Sequence, residues 1–155
     1  MMTPFEEARS TVHAWQKEGQ KIVFTNGCFD LLHPGHAAYL HDARMLGNRL
    51  IIGLNDDNSI RRLKGDSRPI NNLHDRAAML FALKPVDLVV SFSEDTPLKL
   101  ILGLKPDILV KGGDYHPSNI VGASEVLGWG GEVKVIPFLE GYSSTRLIEK
   151  IRHAK

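Results

Sequence analysis

The chain has 155 residues, 43% hydrophobic and 24% charged, the size of one compact domain that removes roughly two-thirds of its unfolded surface from water. Nineteen basic residues against eighteen acidic ones give a formal net charge of +1, which excludes a molecule-wide pull toward nucleic acid or an anionic membrane and confines anion binding to local clusters. A single cysteine, Cys28, excludes an internal disulfide or a cysteine-built metal site, and no apolar stretch approaches the roughly 20 residues that span a bilayer.

At the start of the chain, Thr3, Pro4 and Glu6 fit a capping box and predict a helix over residues 3–18. This stretch lacks the basic and apolar regions of a signal peptide, so a cytoplasmic protein is expected. Five short β-type runs follow: "KIVFTN" (21–26), "RLIIGLN" (49–55), "VDLVVSF" (86–92), "DILVKG" (107–112) and "EVKVIPF" (132–138). Helical segments are predicted between and after them at 36–47, 72–84, 96–104, 118–128 and 144–154. Strands rich in Val, Ile and Leu that alternate with helices predict an α/β fold. The expected form is a doubly wound, Rossmann-like, five-stranded parallel sheet with helices on both faces. One domain covering residues 1–155 is expected, with residues 1–20 as a helical extension.

Such sheets bind ligands beyond the carboxyl ends of their strands, and the polar, Gly-rich stretches of this chain fall there. In "FTNGCFDLLHPGH" (24–36), Gly35 lets backbone approach a ligand, and a helix beginning near Pro34 would present unpaired N–H groups to it. His33 and His36 flank that terminus as donors for phosphate oxygens; packed imidazoles are the alternative. A zinc site lacks the further ligands it would need. In "EGYSSTRLIEK" (140–150), Ser143, Ser144 or Thr145 caps a second helix, and the three hydroxyls with Arg146 also suit a polyphosphate. "RRLKGDSRP" (61–69) reads as a basic loop without the interleaved aromatics of an RNA site, so Lys64 and Arg68, with Lys111 of "VKGGDY", are expected to meet a second, phosphorylated substrate. Asp30 and Asp114 either serve the site or hold their own loops. Cys28 reads as a small buried residue, and Trp129 as cover for a pocket or the core.

"HPGH" with the downstream "SSTRLI" resembles the HxGH nucleotidylyltransferase superfamily over residues 21–151. Within it, "FTNGCFDLLHPGH", "RRLKGDSRPIN", "DLVVSFSEDTP", "PDILVKGGDY" and "GGEV" are similar to the branch that adenylylates D-glycero-D-manno-heptose 1-phosphate. The resemblance implies ATP and a sugar 1-phosphate as substrates, Mg²⁺ as cofactor without a dedicated protein metal site, ADP-heptose and pyrophosphate as products, and a homodimer. It implies no nucleic-acid or membrane partner. It assigns His33, His36 and Lys111 to catalysis. Asn26, Gly27, Phe29, Asp30, Gly35, Ser143, Ser144 and Thr145 are assigned to the nucleotide, and Lys64, Arg68, Lys111 and Asp114 to the acceptor. Tyr142 departs from the Ile that many members carry. Three rivals stand beside this reading: a different acceptor such as glycerol 3-phosphate with CTP, a non-catalytic nucleotide-binding module, and a zinc hydrolase.

Overall fold

A computed structural model describes residues 2–154. Strands β1 (Ile22–Gly27), β2 (Arg49–Asn55), β3 (Leu88–Phe92), β4 (Ile108–Gly112) and β5 (Glu132–Ile136) pair in parallel in the order β3-β2-β1-β4-β5. Parallel neighbours cannot be joined by a tight turn, so each connection carries helix across a face of the sheet. The helices are α1 (Phe5–Lys17), α2 (Pro34–Met45), α3 (Asp57–Lys64), α4 (Leu73–Phe81), α5 (Leu98–Leu104), α6 (Ala123–Gly128) and α7 (Ser144–His153).

Alternation along the strands divides the core between the two faces. Ile22, Phe24, Ile51, Val90 and Leu109 pack under α1, α5 and α6, against Ala8, Val12, Ile101, Leu104 and Val126. Val23, Leu50, Ile52, Val89 and Val110 face the other way, toward Tyr39, Leu40 and Ala43 of α2 and Ala77 and Leu80 of α4. The doubly wound sheet expected from the sequence is thus present. From β1 the chain winds outward through β2 to β3, then returns across the sheet to β4 and β5. The reversal falls between β1 and β4, and a cavity opens beyond their carboxyl ends.

Three local expectations are corrected. The capping box does not form: Pro4 is the N-cap of α1 without a side-chain cap bond, while the Thr3 N–H donates to the Val89 carbonyl at 2.8 Å and covers the edge of β3. Residues 57–64, read as loop, form α3, capped by Asp56, whose carboxylate accepts the Ser59 N–H at 2.7 Å. The helix expected over 118–128 is broken at Gly122, whose φ of 87° separates a 3₁₀ turn (Pro117–Asn119) from α6.

The N-terminal helix is built into the core. Ala8 and Val12 have no exposed surface, and Gln16 Nε2 donates to the Lys105 carbonyl at 2.9 Å. Val12→Ala is expected to lower the unfolding free energy by about 2 kcal/mol through lost methyl burial and the void left behind. Urea unfolding with an unchanged slope would check it. A loss below about 0.5 kcal/mol would make α1 a loose appendage instead.

Candidate active site

The turn from β1 to α2 begins with a conformational demand. Phe29 adopts φ 44°, the left-handed region that bulky side chains rarely occupy. Its ring is thereby tucked against Gly27, where a Cβ would sit 2.9 Å from it, and lies 5.4 Å from the His36 ring. Asp30 then turns inward and is almost fully buried. Its carboxylate accepts from Arg68 Nε at 2.6 Å, from the Ile70 N–H at 2.8 Å and from the Asn71 N–H at 2.9 Å. Burial pushes this carboxyl up, but the Asn71 and Ile70 N–H groups and the Arg68 guanidinium outweigh it and hold it below the ordinary carboxylate range. Asp30 therefore clasps loop 65–71 with the carboxylate that the sequence had offered to the nucleotide. Arg68 reaches the site already tethered through Nε.

A second clasp is made by Arg76, a residue the sequence reading passed over. Its side chain has no exposed surface. Nη1 donates to the Cys28 carbonyl at 2.7 Å, Nη2 to Asp57 Oδ1 at 2.8 Å and Nε to the Asn71 carbonyl at 3.0 Å. One guanidinium thus joins the β1–α2 turn, the start of α3 and the approach to α4.

His33 and His36 sit on this platform. His33 Nδ1 caps α2 by accepting the His36 N–H at 3.3 Å, which leaves Nε2 to carry its proton. The two rings stack with centroids 3.8 Å apart. His36 Nδ1 is buried without a hydrogen-bond partner. A buried acceptor left unmade is tolerated better than a buried donor, so this imidazole also places its proton on Nε2. Burial, then the His33 ring, then Lys64 lower the His36 pKa to about 4, and burial lowers that of His33. Both rings are neutral N–H donors at neutral pH.

The second turn packs directly onto the first. Ser144 Oγ donates to the Leu31 carbonyl at 3.1 Å, and Ser143 Oγ caps α7 by accepting the Arg146 N–H at 3.1 Å. A Cβ on Gly35 would lie 3.1 Å from both the His33 ring and Tyr142 Cβ, so this contact needs glycine. Tyr142 lies 6.1 Å from the His33 ring and takes part in this packing. His33, Gly35, His36, Lys64, Arg68 and Ser143–Thr145 consequently line one hollow of about 240 Å³.

Through His36, Lys64, Arg68 and Ser144 that hollow continues into a cavity of about 570 Å³, within the range of small-molecule sites. Asn26, Gly27, Phe29 and Asp30 wall it on the β1 side, and Lys111 stands at the end of β4. Lys111 Nζ lies 3.5 Å from Asn26 Oδ1 and 5.9 Å from the Tyr115 ring centroid, and burial lowers its pKa. The far wall is Thr96, Pro97, Asn119, Ile120 and Val121, with Tyr39, Asn55, Tyr115 and Phe138 also lining. Burial raises the Tyr39 phenol to about 12 against a 2.6 Å hydrogen bond with Thr25.

Between them the cavity and the hollow bring together every predicted site residue except Asp114, with His33, Gly35, Ser143 and Thr145 lining only the hollow; Asp114 is exposed and lines neither, and Arg146 is exposed as well. Cys28 lines the cavity and is half-buried rather than buried. Trp129 packs on the core and donates to the Pro106 carbonyl at 3.1 Å. Asn55 and Thr96-Pro97 carried a signal in their position after β2 and β3; Tyr115 and Phe138 carried none beyond being aromatic near a strand end. No cluster of three or more potential metal ligands exists among the described residues, nor does any helix there have the length and apolarity to cross a membrane.

A family profile described as cytidylyltransferase-like matches residues 24–150. The bifunctional protein HldE of Haemophilus influenzae is 55% identical over 149 residues, which is 96% of this chain and 31% of that protein. HldE of Escherichia coli O139:H28 is 55% identical over 150 residues, 97% of this chain and 31% of its own length. The chain thus spans about a third of the length of these curated relatives. The crystal structure of a lipopolysaccharide core biosynthesis protein from Thermoplasma volcanium superposes with a TM-score of 0.63 at 30% identity, covering 81% of this chain and all of that one. A pantoate-beta-alanine ligase from Francisella tularensis shares the fold, with a TM-score of 0.66 at 18% identity, over 99% of this chain and 80% of its own.

The depressed His36 pKa has a definite sign. The unfolded chain takes up this proton near pH 6.5 and the folded one only near 4, so stability is full above 6.5 and declines as pH falls through that window. A bound polyanion favours the charged ring and raises the midpoint. Imidazole NMR titration is expected to show His36 neutral down to about pH 4, moving upward with saturating pyrophosphate. An unmoved midpoint would place the ring away from phosphate.

Proposed function

The chain belongs to the cytidylyltransferase-like family, and from that premise we propose that it transfers AMP from ATP to D-glycero-D-manno-heptose 1-phosphate, giving ADP-heptose and pyrophosphate. Nucleotidyl transfer as the reaction class follows from family membership. ATP and heptose phosphate are supported by the ordered strings from "FTNGCFDLLHPGH" to "GGEV" and by the likeness to HldE across nearly the whole chain. One observation carries the reading: the "HPGH" turn and the "SST" turn meet on one hollow that opens into a larger cavity with Lys111 on its wall. Such an enzyme would work in the cytoplasm, where ATP is made.

A sugar phosphate oxygen attacks the α-phosphorus in line with the departing pyrophosphate, and charge builds on the leaving group. The acceptor is ionised near neutral pH, so the reaction requires no general base. What remains is positioning and charge stabilisation. Neutral His33 and His36 donate Nε2–H to phosphate oxygens, and their hydrogen bonds strengthen as charge develops. Thr145, which lines the histidine hollow together with Lys64, is placed to meet the departing phosphates. Lys111 gains most from a dianionic acceptor, because its half-buried ammonium has a long contact to Asn26 and the Tyr115 ring but no ion pair among the described residues. Bound Mg²⁺ would supply charge neutralisation at the phosphates and would be held mainly by substrate oxygens and water, since the buried carboxylate at the cavity, Asp30, is committed to its loop.

Pyrophosphate release measured with ATP or CTP against heptose 1-phosphate, other sugar 1-phosphates and glycerol 3-phosphate tests the reading; turnover confined to another pair would replace it. His36→Ala is expected to lower kcat by roughly 10²–10³ with a smaller change in KM, the usual loss for one preorganised donor. Lys111→Ala is expected to raise the KM of the sugar phosphate at least roughly tenfold, and that of ATP much less. Equal rises for both would remove Lys111 from the acceptor phosphate.

A further inference from the structure

The phosphate hollow has no closed far wall. Lys64, Arg68 and Thr145 line it and also line a separate cavity of about 410 Å³ between loop 65–70 and α7. Ser67 and Arg152 add polar lining there, Ile70 and Ile148 add apolar lining, and Glu149 is the one carboxylate. Lys64, Arg152 and Arg68, whose Nε is already paired with Asp30, therefore outnumber the one carboxylate of this lining. Arg152 lines only this cavity of the three, and it enters no ion pair among the described residues. Lys64 and Arg68 line all three spaces, while Thr145 joins this basic cavity to the histidine hollow alone, and His36 and Ser144 join that hollow to the large cavity.

We propose that the basic cavity is a subsite for a phosphate beyond the third, so that the chain takes nucleoside 5′-tetraphosphates as donors as well as triphosphates. The proposal rests on the phosphate-holding role given above to the "HPGH" and "SST" turns. In the reaction, an acceptor phosphate oxygen bonds to the α-phosphorus while the bond from that phosphorus to the α,β-bridging oxygen breaks. The electron pair leaves with tripolyphosphate in place of pyrophosphate. No additional reactant is needed. The terminal phosphate of the longer leaving group lies among Lys64, Arg68 and Arg152, where each contact to a cation is charge-assisted.

Calorimetry with inorganic pyrophosphate and inorganic tripolyphosphate on the full chain tests the subsite without turnover. Tripolyphosphate is expected to bind about five-fold tighter than pyrophosphate, a difference of about 1 kcal/mol. Arg152→Glu should abolish this preference while leaving pyrophosphate binding within about twofold, as befits loss of one partly exposed ionic contact. Lys150→Glu, which alters the charge of α7 outside all three cavities, should retain the preference and thereby separates a local contact from general charge. In steady-state assays adenosine 5′-tetraphosphate should match or exceed ATP in kcat/KM, and Arg152→Glu should depress only the tetraphosphate. Equal binding of the two anions, or a preference equally lost in both variants, overturns the subsite while leaving the proposed function standing. Failure of either anion to bind overturns the phosphate-holding turns themselves, and this inference with them.

Discussion

The guanidinium of Arg76 is the constraint on which the site depends. It lies at the switch-point end of the sheet with no exposed surface, and its three bonds reach the Cys28 carbonyl, the Asn71 carbonyl and Asp57. A buried cation is costly to desolvate, and a single ion pair seldom repays that cost. Here the charge is shared with two backbone carbonyls that would otherwise lack these donors, so removal of the guanidinium would leave unmet acceptors in three segments at once. Its counterpart is Asp30, a buried anion held by Arg68 and two N–H groups of the adjoining loop. One buried cation and one buried anion thus fasten the β1–α2 turn to the loop and helices beside it. The histidines stand on that turn, and their placement relative to Lys64 and Arg68 follows from these two clasps more than from any contact of their own.

This arrangement also explains why the imidazoles are neutral. Stacked rings 3.8 Å apart cannot both be protonated without direct repulsion, and burial opposes the charge on each. A neutral pair gives two fixed N–H donors and no cation of its own for the acceptor to be drawn toward, which suits a step whose charge appears only on the leaving side. The cations stay at the margins: Lys64 and Arg68 beside the histidine hollow, Lys111 on the cavity wall at the end of β4. Charge is thus graded along the path of the displacement.

The strands and most helices were legible in the sequence because their apolar residues recur with the period that two-sided burial requires. Residues 57–64 were not, since of the two apolar residues of α3 only Ile60 is buried and Leu63 is exposed; a single apolar pair is too short to show a period, and the Asp56 cap alone marks where the helix begins. That the two turns meet at the carboxyl end of the sheet could be read because glycine, histidine and hydroxyls at helix starts have a direct physical meaning there. Arg76 was hidden in a helical segment where a charged residue normally faces water. Its role depends on Cys28, 48 positions earlier in the chain, and no local spacing reports such a contact. Asp30 and Asp114 looked alike in sequence, each beside a Gly-containing turn, and only burial distinguishes the clasp from the exposed carboxylate.

The two turns proposed to hold the phosphates are unequally secured, and the proposed reaction would benefit from the inequality. The histidine half is anchored in the core through Tyr39, Leu40 and Ala43 of α2. The hydroxyl half opens α7, none of whose residues is buried, and it is attached through the Ser144–Leu31 bond and the contact of Tyr142 with Gly35. Segments with few buried contacts open at low free-energy cost. In the proposed reaction, an anion bridging both halves would supply the missing contacts, so a triphosphate would order the grip as it bound and some of its binding energy would be consumed in doing so. The same weakness would assist departure: with the α,β bond broken, pyrophosphate would be held on one side by the histidine pair anchored in the core and on the other by a helix with no buried residue. A fully packed α7 would bind the triphosphate more tightly in the ground state and retain the leaving group longer, to no advantage in the displacement itself.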